Sequence, residues 1–403
     1  MIDAPPFGGA SCLSVKNMPR TALFTFVLCF LLGFGACDSG SGMADEPPGE
    51  DPIIDPPPTE EPSFKRADML ANMGNNIIVP SYVSFQGAIG ALHTAGEAFK
   101  NSPDETTLAD LQAALKEARM AWQDVALFQF GPAETFALRG SLNTYPANTD
   151  QIDANMASGG YVLGTIENIA AGGFPALAYL LHGNGETAEE LVTLFTTDTN
   201  AISRMSYLED NLDFIQENVD LVVNRWLSTD GNYLSTFLSE DKGGVDVGSS
   251  LGEVVNALVL HYERFIRDGK IGIPAGVRSS GVPRPKTTEA FYGGYSSELA
   301  VRSVEALERL YKGTSFDGEE GTGLEENLEF LEADMLASDI STTMEGVISS
   351  LMTLPDPLSA QIESSTDEVV SVFTEMQQLV VLLKADMTSF LGVTITFQDN
   401  DGD

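Results

Sequence analysis

From Phe64 onward, apolar residues recur every three or four positions over long windows, and the strict alternation of a half-buried strand is scarce. The clearest window is 106–129, TTLADLQAALKEARMAWQDVALFQ, where Leu108, Leu111, Leu115, Ala118, Trp122 and Val125 form one stripe. Ser102-Pro103-Asp104-Glu105 reads as the start of that helix, and Gly131-Pro132 as its stop. Residues 66–99 carry a second stripe through Met69, Met73, Ile77, Val83 and Ala91, with a break or kink expected at Pro80. Further helices are expected near 160–182, 186–200, 201–227, 248–268, 289–311, 323–335, 339–353 and 359–389. The least helical stretches are 138–158 and 269–287. Long helices with short polar connections predict an all-α fold of two helical bundles packed together, 64–235 and 236–403.

The first 63 residues follow another pattern. Lys16 and Arg20 precede the uncharged run 21–37, TALFTFVLCFLLGFGAC, which ends in small residues, the layout of an export signal. The run is short for a comfortable bilayer span. Phe34-Gly35-Ala36-Cys37 resembles a bacterial lipobox, in which small residues admit the processing enzyme and the thiol takes the lipid. Cys37 is therefore the expected lipidation site, with a plain signal anchor or a cleaved secreted protein as the alternatives. Met18 makes a more usual start for such a signal than Met1. Residues 38–63 form an acidic, Pro-rich linker with almost no large apolar side chains to join a core. The expected location is the bacterial cell envelope, lipid-anchored at the outer membrane or the periplasmic face of a membrane.

Charge narrows the function classes. The chain has 21 Lys+Arg against 59 Asp+Glu, a net charge of -38, and 43% hydrophobic residues. The apolar fraction suits a folded core, and the single-sign field repels nucleic acid phosphates. Cleavage before Cys37 leaves that residue as the sole cysteine, which excludes an internal disulfide, a Cys zinc cluster and a CxxC redox pair. Only His93, His182 and His261 supply imidazoles. Against this background the segment 269–287, GKIGIPAGVRSSGVPRPKT, stands out for Lys270, Arg278, Arg284 and Lys286, with Arg267 just before it. Two readings stay open: local relief of the anionic surface, or a solvated connection paired to nearby carboxylates.

Several polar residues carry candidate chemistry. His93 and Glu97 are spaced i,i+4 and can face one ligand from a helix. Arg119 can bind a carboxylate or neutralise a buried Glu such as Glu167. His261, Lys270 and Glu289 can converge through the basic loop, with Ser296 and Ser297 beyond, although no G-x-S-x-G elbow supports a serine nucleophile. The end, Asp399-Asn400-Asp401-Gly402-Asp403, looks like the front of a calcium loop but stops short of the twelfth-position Glu.

Segments along the body resemble the imelysin-like family, also called peptidase M75. They are NIIVPSYVSFQGAIGAL (76–92), ALKEARMAWQDVALFQFGP (114–132), GGFPALAYLLHG (172–183), HYERFIRDGKIGIPAG (261–276), TEAFYGGYSSELA (288–300), LERLYKG (307–313) and LLKADMTSFLGVTITFQDNDGD (382–403). The resemblance implies two similar four-helix bundles, export or lipid anchoring, and iron-regulated surface functions. Arg119 and Glu289 fall at family positions. The family's Gly-x-His-x-x-Glu motif suits metal binding, because its His and Glu share one helix face. Here the positions read Gly173-Phe174-Pro175-Ala176-Leu177-Ala178, so Pro175 and Ala178 replace the two functional residues. Neither can ligate a metal or move a proton. The expectation is a binding protein for a metal-related ligand or a partner, among iron-uptake or other envelope components, with iron, zinc or calcium as the candidate metals. The alternatives are a zinc peptidase with a displaced site built from His93, Glu97, His182 and Glu289, and a structural or adhesive surface protein.

Overall fold

The computed structural model describes residues 64–227 and 231–397. The export segment with Cys37, the linker before residue 64 and the acidic tail 399–403 lie outside the described residues. The described part consists of helices joined by loops, and no strand occurs in it. No helix among these residues is long and apolar enough to cross a membrane.

A first group of helices packs around a large aromatic core. The chain enters through Arg66–Asn72 and a π-helical turn, Met73–Ile78, into α1 (Val79–Asn101). Pro80 sits at the start of α1, and no break follows it. It cannot donate to the carbonyl of Asn76, which instead accepts the N–H of Phe316 at 2.7 Å. Helix α2 (Glu105–Val125) begins with a capping box: Asp104 Oδ1 accepts the N–H groups of Thr106 and Thr107, each at 2.9 Å. Thr107 Oγ1 in turn accepts the Asp104 N–H. After the short α3 (Leu138–Leu142) come α4 (Gly173–His182) and α5 (Ala201–Leu227), which complete the group. Phe85, Trp122 and Phe174 meet in its centre, with ring centroids 5.7 to 6.5 Å apart.

Helix α6 (Tyr233–Phe237) carries the chain onward, and residues 235 and 236 both lie inside it. Its Phe237 stacks on Phe130, and its Phe237 carbonyl accepts Ser250 Oγ. Helix α7 (Ser250–Leu260) runs without a stop into a π-helical segment, His261–Gly272. Against that segment pack α8 (Ser296–Lys312) and α10 (Thr366–Glu375), while α9 (Asp334–Met352) packs on α8 and residues 377–391 close the second group. Helix α8 lies along α2, and ion pairs cross this seam, with Asp124 buried and the Lys116–Glu298 pair exposed. Arg302 and Arg309 both reach Asp124, at 2.9 and 3.1 Å, and Lys116 reaches Glu298.

Three expected elements differ. Residues 160–172 form a loop in which Gly164 has φ +78°, rather than the first turns of α4. Residues 289–295 form a turn region with Gly294 at φ +74°, so α8 starts only at Ser296. The supposedly irregular 138–158 holds α3 and a second helix, Thr149–Ser158, on either side of Pro146.

Candidate functional site

A groove of about 710 Å³ opens where α2, α3, the loop after α3, the π-helical segment and the basic loop meet. Its back wall comes from α2, through Trp122, Gln123 and Ala126. Its other walls are Arg139 to Pro146 on one side, and His261 to Ile273 with Arg278, Arg284 and Thr287 on the other. The π-helical segment shapes the second wall. The Ile273 N–H donates five residues back, to Asp268 O at 2.8 Å, so the helix is wider than an α-helix. Such wide turns are rare and recur at functional sites.

Behind the groove floor lies a polar cage with almost no water access. Glu289 is 3% exposed, and its Oε1 accepts Asn143 Nδ2 at 2.8 Å and Gln123 Nε2 at 3.1 Å. Its Oε2 is held by Lys270 Nζ, and its backbone carbonyl accepts Arg119 NH2 at 2.6 Å. Lys270 also donates to Gln123 Oε1 at 2.9 Å, where Ser303 Oγ joins at 2.7 Å. Burial pushes the Glu289 carboxyl up, but Lys270 and Arg119, with the hydrogen bonds, pull it below the usual carboxylate range. Burial lowers the Lys270 ammonium more than Glu289 restores it. The pair is a charged, hydrogen-bonded brace between the π-helical segment and the turn before α8.

Arg139 and His261 face the groove in front of this cage. One Arg139 NH2 donates to the Ala126 carbonyl and to His261 Nδ1, the latter at 3.2 Å. The guanidinium also lies over the Phe265 ring, 3.6 Å from its centroid. Burial brings Arg139 down to about 10, still cationic at neutral pH. His261 is 2% exposed, and burial, then Arg139 and Lys270, hold it well below its ordinary value, so it is neutral. With Nδ1 accepting from Arg139, the ring proton belongs on Nε2, which has no partner among the described residues.

Of the residues singled out from the sequence, His261 and Lys270 line the groove, and Glu289 and Arg119 stand directly behind it. The others lie elsewhere. His93 Nε2 contacts Asp213 across the α1–α5 interface at 2.8 Å, rather than sharing a ligand with Glu97, which is exposed. Glu167 is exposed on the 160–172 loop and does not meet Arg119. His182 ends α4, where burial and Arg119 lower its imidazole to about 4. The four residues of the displaced-zinc reading are thus not one cluster. Among the described residues, no group of three or more His, Cys, Asp and Glu could hold a metal ion. Within the groove, Glu263 is already bound by Lys384 at 2.9 Å and Asp268 by Arg278 at 2.8 Å. This donor set does not fit a bare cation.

No residue of the degenerate motif lines the groove. Phe174, Pro175 and Ala178 are all buried in α4, and the Phe174 ring lies 6.5 Å from that of Trp122. Gly173 keeps its role, because φ is +71° and a Cβ there would come within 2.3 Å of the Leu142 carbonyl oxygen. Arg139, Gln123 and Asn143 escaped the sequence reading. Arg139 was visible only as one of few cations in an acidic chain.

Fold and site together define an all-α protein with a cation-lined groove between its helix groups. The sequence profile of the imelysin family, peptidase M75, matches residues 78–385, and the chain belongs to that family. Iron-regulated protein A of Synechococcus elongatus is 22% identical over 302 residues, 73% of this chain and 78% of its own length. An iron-regulated protein A precursor from Parabacteroides distasonis has a crystal structure similar at TM-score 0.68 and 17% identity. That likeness covers 81% of this chain and 95% of that one. An imelysin-like protein from Psychrobacter arcticum follows at TM-score 0.59 and 18% identity, covering 82% and 97%.

Proposed function

We propose that this chain is a ligand-binding protein of the cell envelope, anchored by lipid at Cys37, that uses the groove as its binding site and does not cleave peptides. The observation that carries the reading is the pairing of two features. Pro175 and Ala178 stand buried where the family motif has His and Glu, while a roomy groove that neither residue lines is walled by polar groups. A groove of this volume suits a small molecule. Kinship with a protein named as iron-regulated supports a metal-related ligand, delivered to or received from other envelope components.

Two assays test the reading. Incubation with casein, with and without added Zn2+, should show no cleavage that a chelator abolishes; such cleavage would overturn the non-peptidase half. Thermal-shift screening against metal ions and metal chelates should find a stabilising compound whose effect disappears when Thr144→Trp fills the groove. Stabilisation that survives that substitution would place the site elsewhere.

A further inference from the structure

We infer that the groove binds a small oxyanion bearing carboxylate or phosphate groups, and that a metal enters only inside such an anionic complex. The inference rests on the groove being the binding site.

The groove reverses the charge balance of the chain. Acidic residues outnumber basic ones 59 to 21 over the chain, yet five cations line the groove against two carboxylates. The cations are Arg139, Lys270, Arg264, Arg278 and Arg284. Both carboxylates are engaged, Glu263 by Lys384 and Asp268 by Arg278. Lys270 is engaged by Glu289. Arg139, Arg264 and Arg284 are left with no carboxylate partner among the described residues, in a protein where carboxylates are abundant.

Arg139 is the most telling of the three. A half-buried guanidinium in a chain with abundant carboxylates would be expected to take one as a partner. Here its contacts are a carbonyl, a neutral imidazole and an aromatic face. Beside it the His261 Nε2–H is buried without an acceptor. Both groups are donors, and both border the same space. An oxyanion satisfies both at once, since charge-assisted N–H···O bonds are the strong ones and Arg matches carboxylate and phosphate geometry. Arg264 and Arg284, exposed at the mouth, meet further negative charge on the same ligand. Trp122, Tyr145 and Phe265 supply the apolar wall that such pockets combine with a few placed polar groups. A bare cation meets the opposite: a field of fixed positive charges and no free carboxylate among the described lining residues.

Calorimetric titration of the purified full chain tests this with citrate, ferric citrate, inorganic phosphate, and Fe2+ under argon, Zn2+ or Ca2+ alone. Citrate, ferric citrate or phosphate should bind at one site, and Arg139→Gln should weaken that binding about tenfold or more, the loss of a charge-assisted hydrogen bond. The exposed pair Arg264→Ser/Arg284→Ser, which leaves the core untouched, should weaken it severalfold even if Arg139→Gln folds poorly. Preference for citrate over phosphate names a carboxylate ligand, and the reverse a phosphate. A bare cation that binds in the groove, is lost in Thr144→Trp and is indifferent to the Arg variants would overturn the inference while leaving the groove reading intact. Absence of binding by every anion would overturn the inference. Binding unchanged by Thr144→Trp would overturn both.

Discussion

Lys270→Met removes one half of the buried brace that holds the groove wall. The substitution keeps the chain volume but leaves the Glu289 carboxylate with Asn143 and Gln123 as its side-chain donors and no ammonium beside it. Stranding one member of a buried ion pair costs about 3–5 kcal/mol. Unfolding entropy near 60 °C is about 2.1 cal/mol/K per residue, so for the compact unit 61–403 the loss corresponds to a Tm drop of about 4–7 °C. Glu289→Leu should cost a similar amount by stranding Lys270. The double variant Lys270→Met/Glu289→Leu should recover more than half of either loss, because no charge is left unpaired. Scanning calorimetry of the four proteins closes the cycle. Acid adds a second signature. Glu289 is held below the usual carboxylate range, so its contribution is present above that range and is lost as pH falls through the lowered value. In Lys270→Met this part of the acid loss should shrink. A Lys270→Met protein melting within 1 °C of the parent, or a double variant showing the sum of the single losses, would refute the brace.

Three further outcomes follow from particular residues. Gly173→Ala should destabilise the protein by about 2–4 kcal/mol in urea unfolding, since it combines a left-handed φ with a clash against the Leu142 carbonyl; a change below about 0.5 kcal/mol would contradict the geometry. His182, held near 4 when folded and near 6.5 when unfolded, takes up its proton first in the unfolded chain, so stability should fall between pH 6.5 and 4. The slope approaches about 1.4 kcal/mol per pH unit for this residue, and His182→Gln should flatten it in pH-dependent unfolding. Cys37→Ser should move the protein from the detergent phase to the soluble fraction; unchanged partitioning would refute lipid anchoring at that thiol.

How legible the molecule was depended on what each residue does. The α2 stripe and the Asp104 cap are local signals, and the helix begins where they say. The loop at 160–172 carries scattered apolar residues, Ile166 among them, that mimic a helix but face solvent, because periodicity cannot tell a buried side chain from an exposed one. The π-helical segment was invisible for another reason. Its five-residue hydrogen bonds shift the register of a window that reads as ordinary helix. For the site, Lys270 and Glu289 are paired and His261 lines the same groove as Lys270, whereas His93 and Glu97 show how little i,i+4 spacing says when Asp213 on another helix lies closer. Arg139 was hidden because it projects from a five-residue helix, where no period marks the face that lines a groove. Within the basic segment, Arg278 is paired with Asp268 and Lys270 with Glu289, whereas Arg284 has no carboxylate partner among the described residues.

The most direct test of the account is a crystal structure of the protein grown with citrate or phosphate at a concentration that saturates the calorimetric site. The account predicts density in the groove bridging the Arg139 guanidinium and His261 Nε2, with the Lys270–Glu289 contact unchanged behind it. A metal ion bound directly by protein carboxylates in that space, or a ligand seated outside the groove, would contradict it.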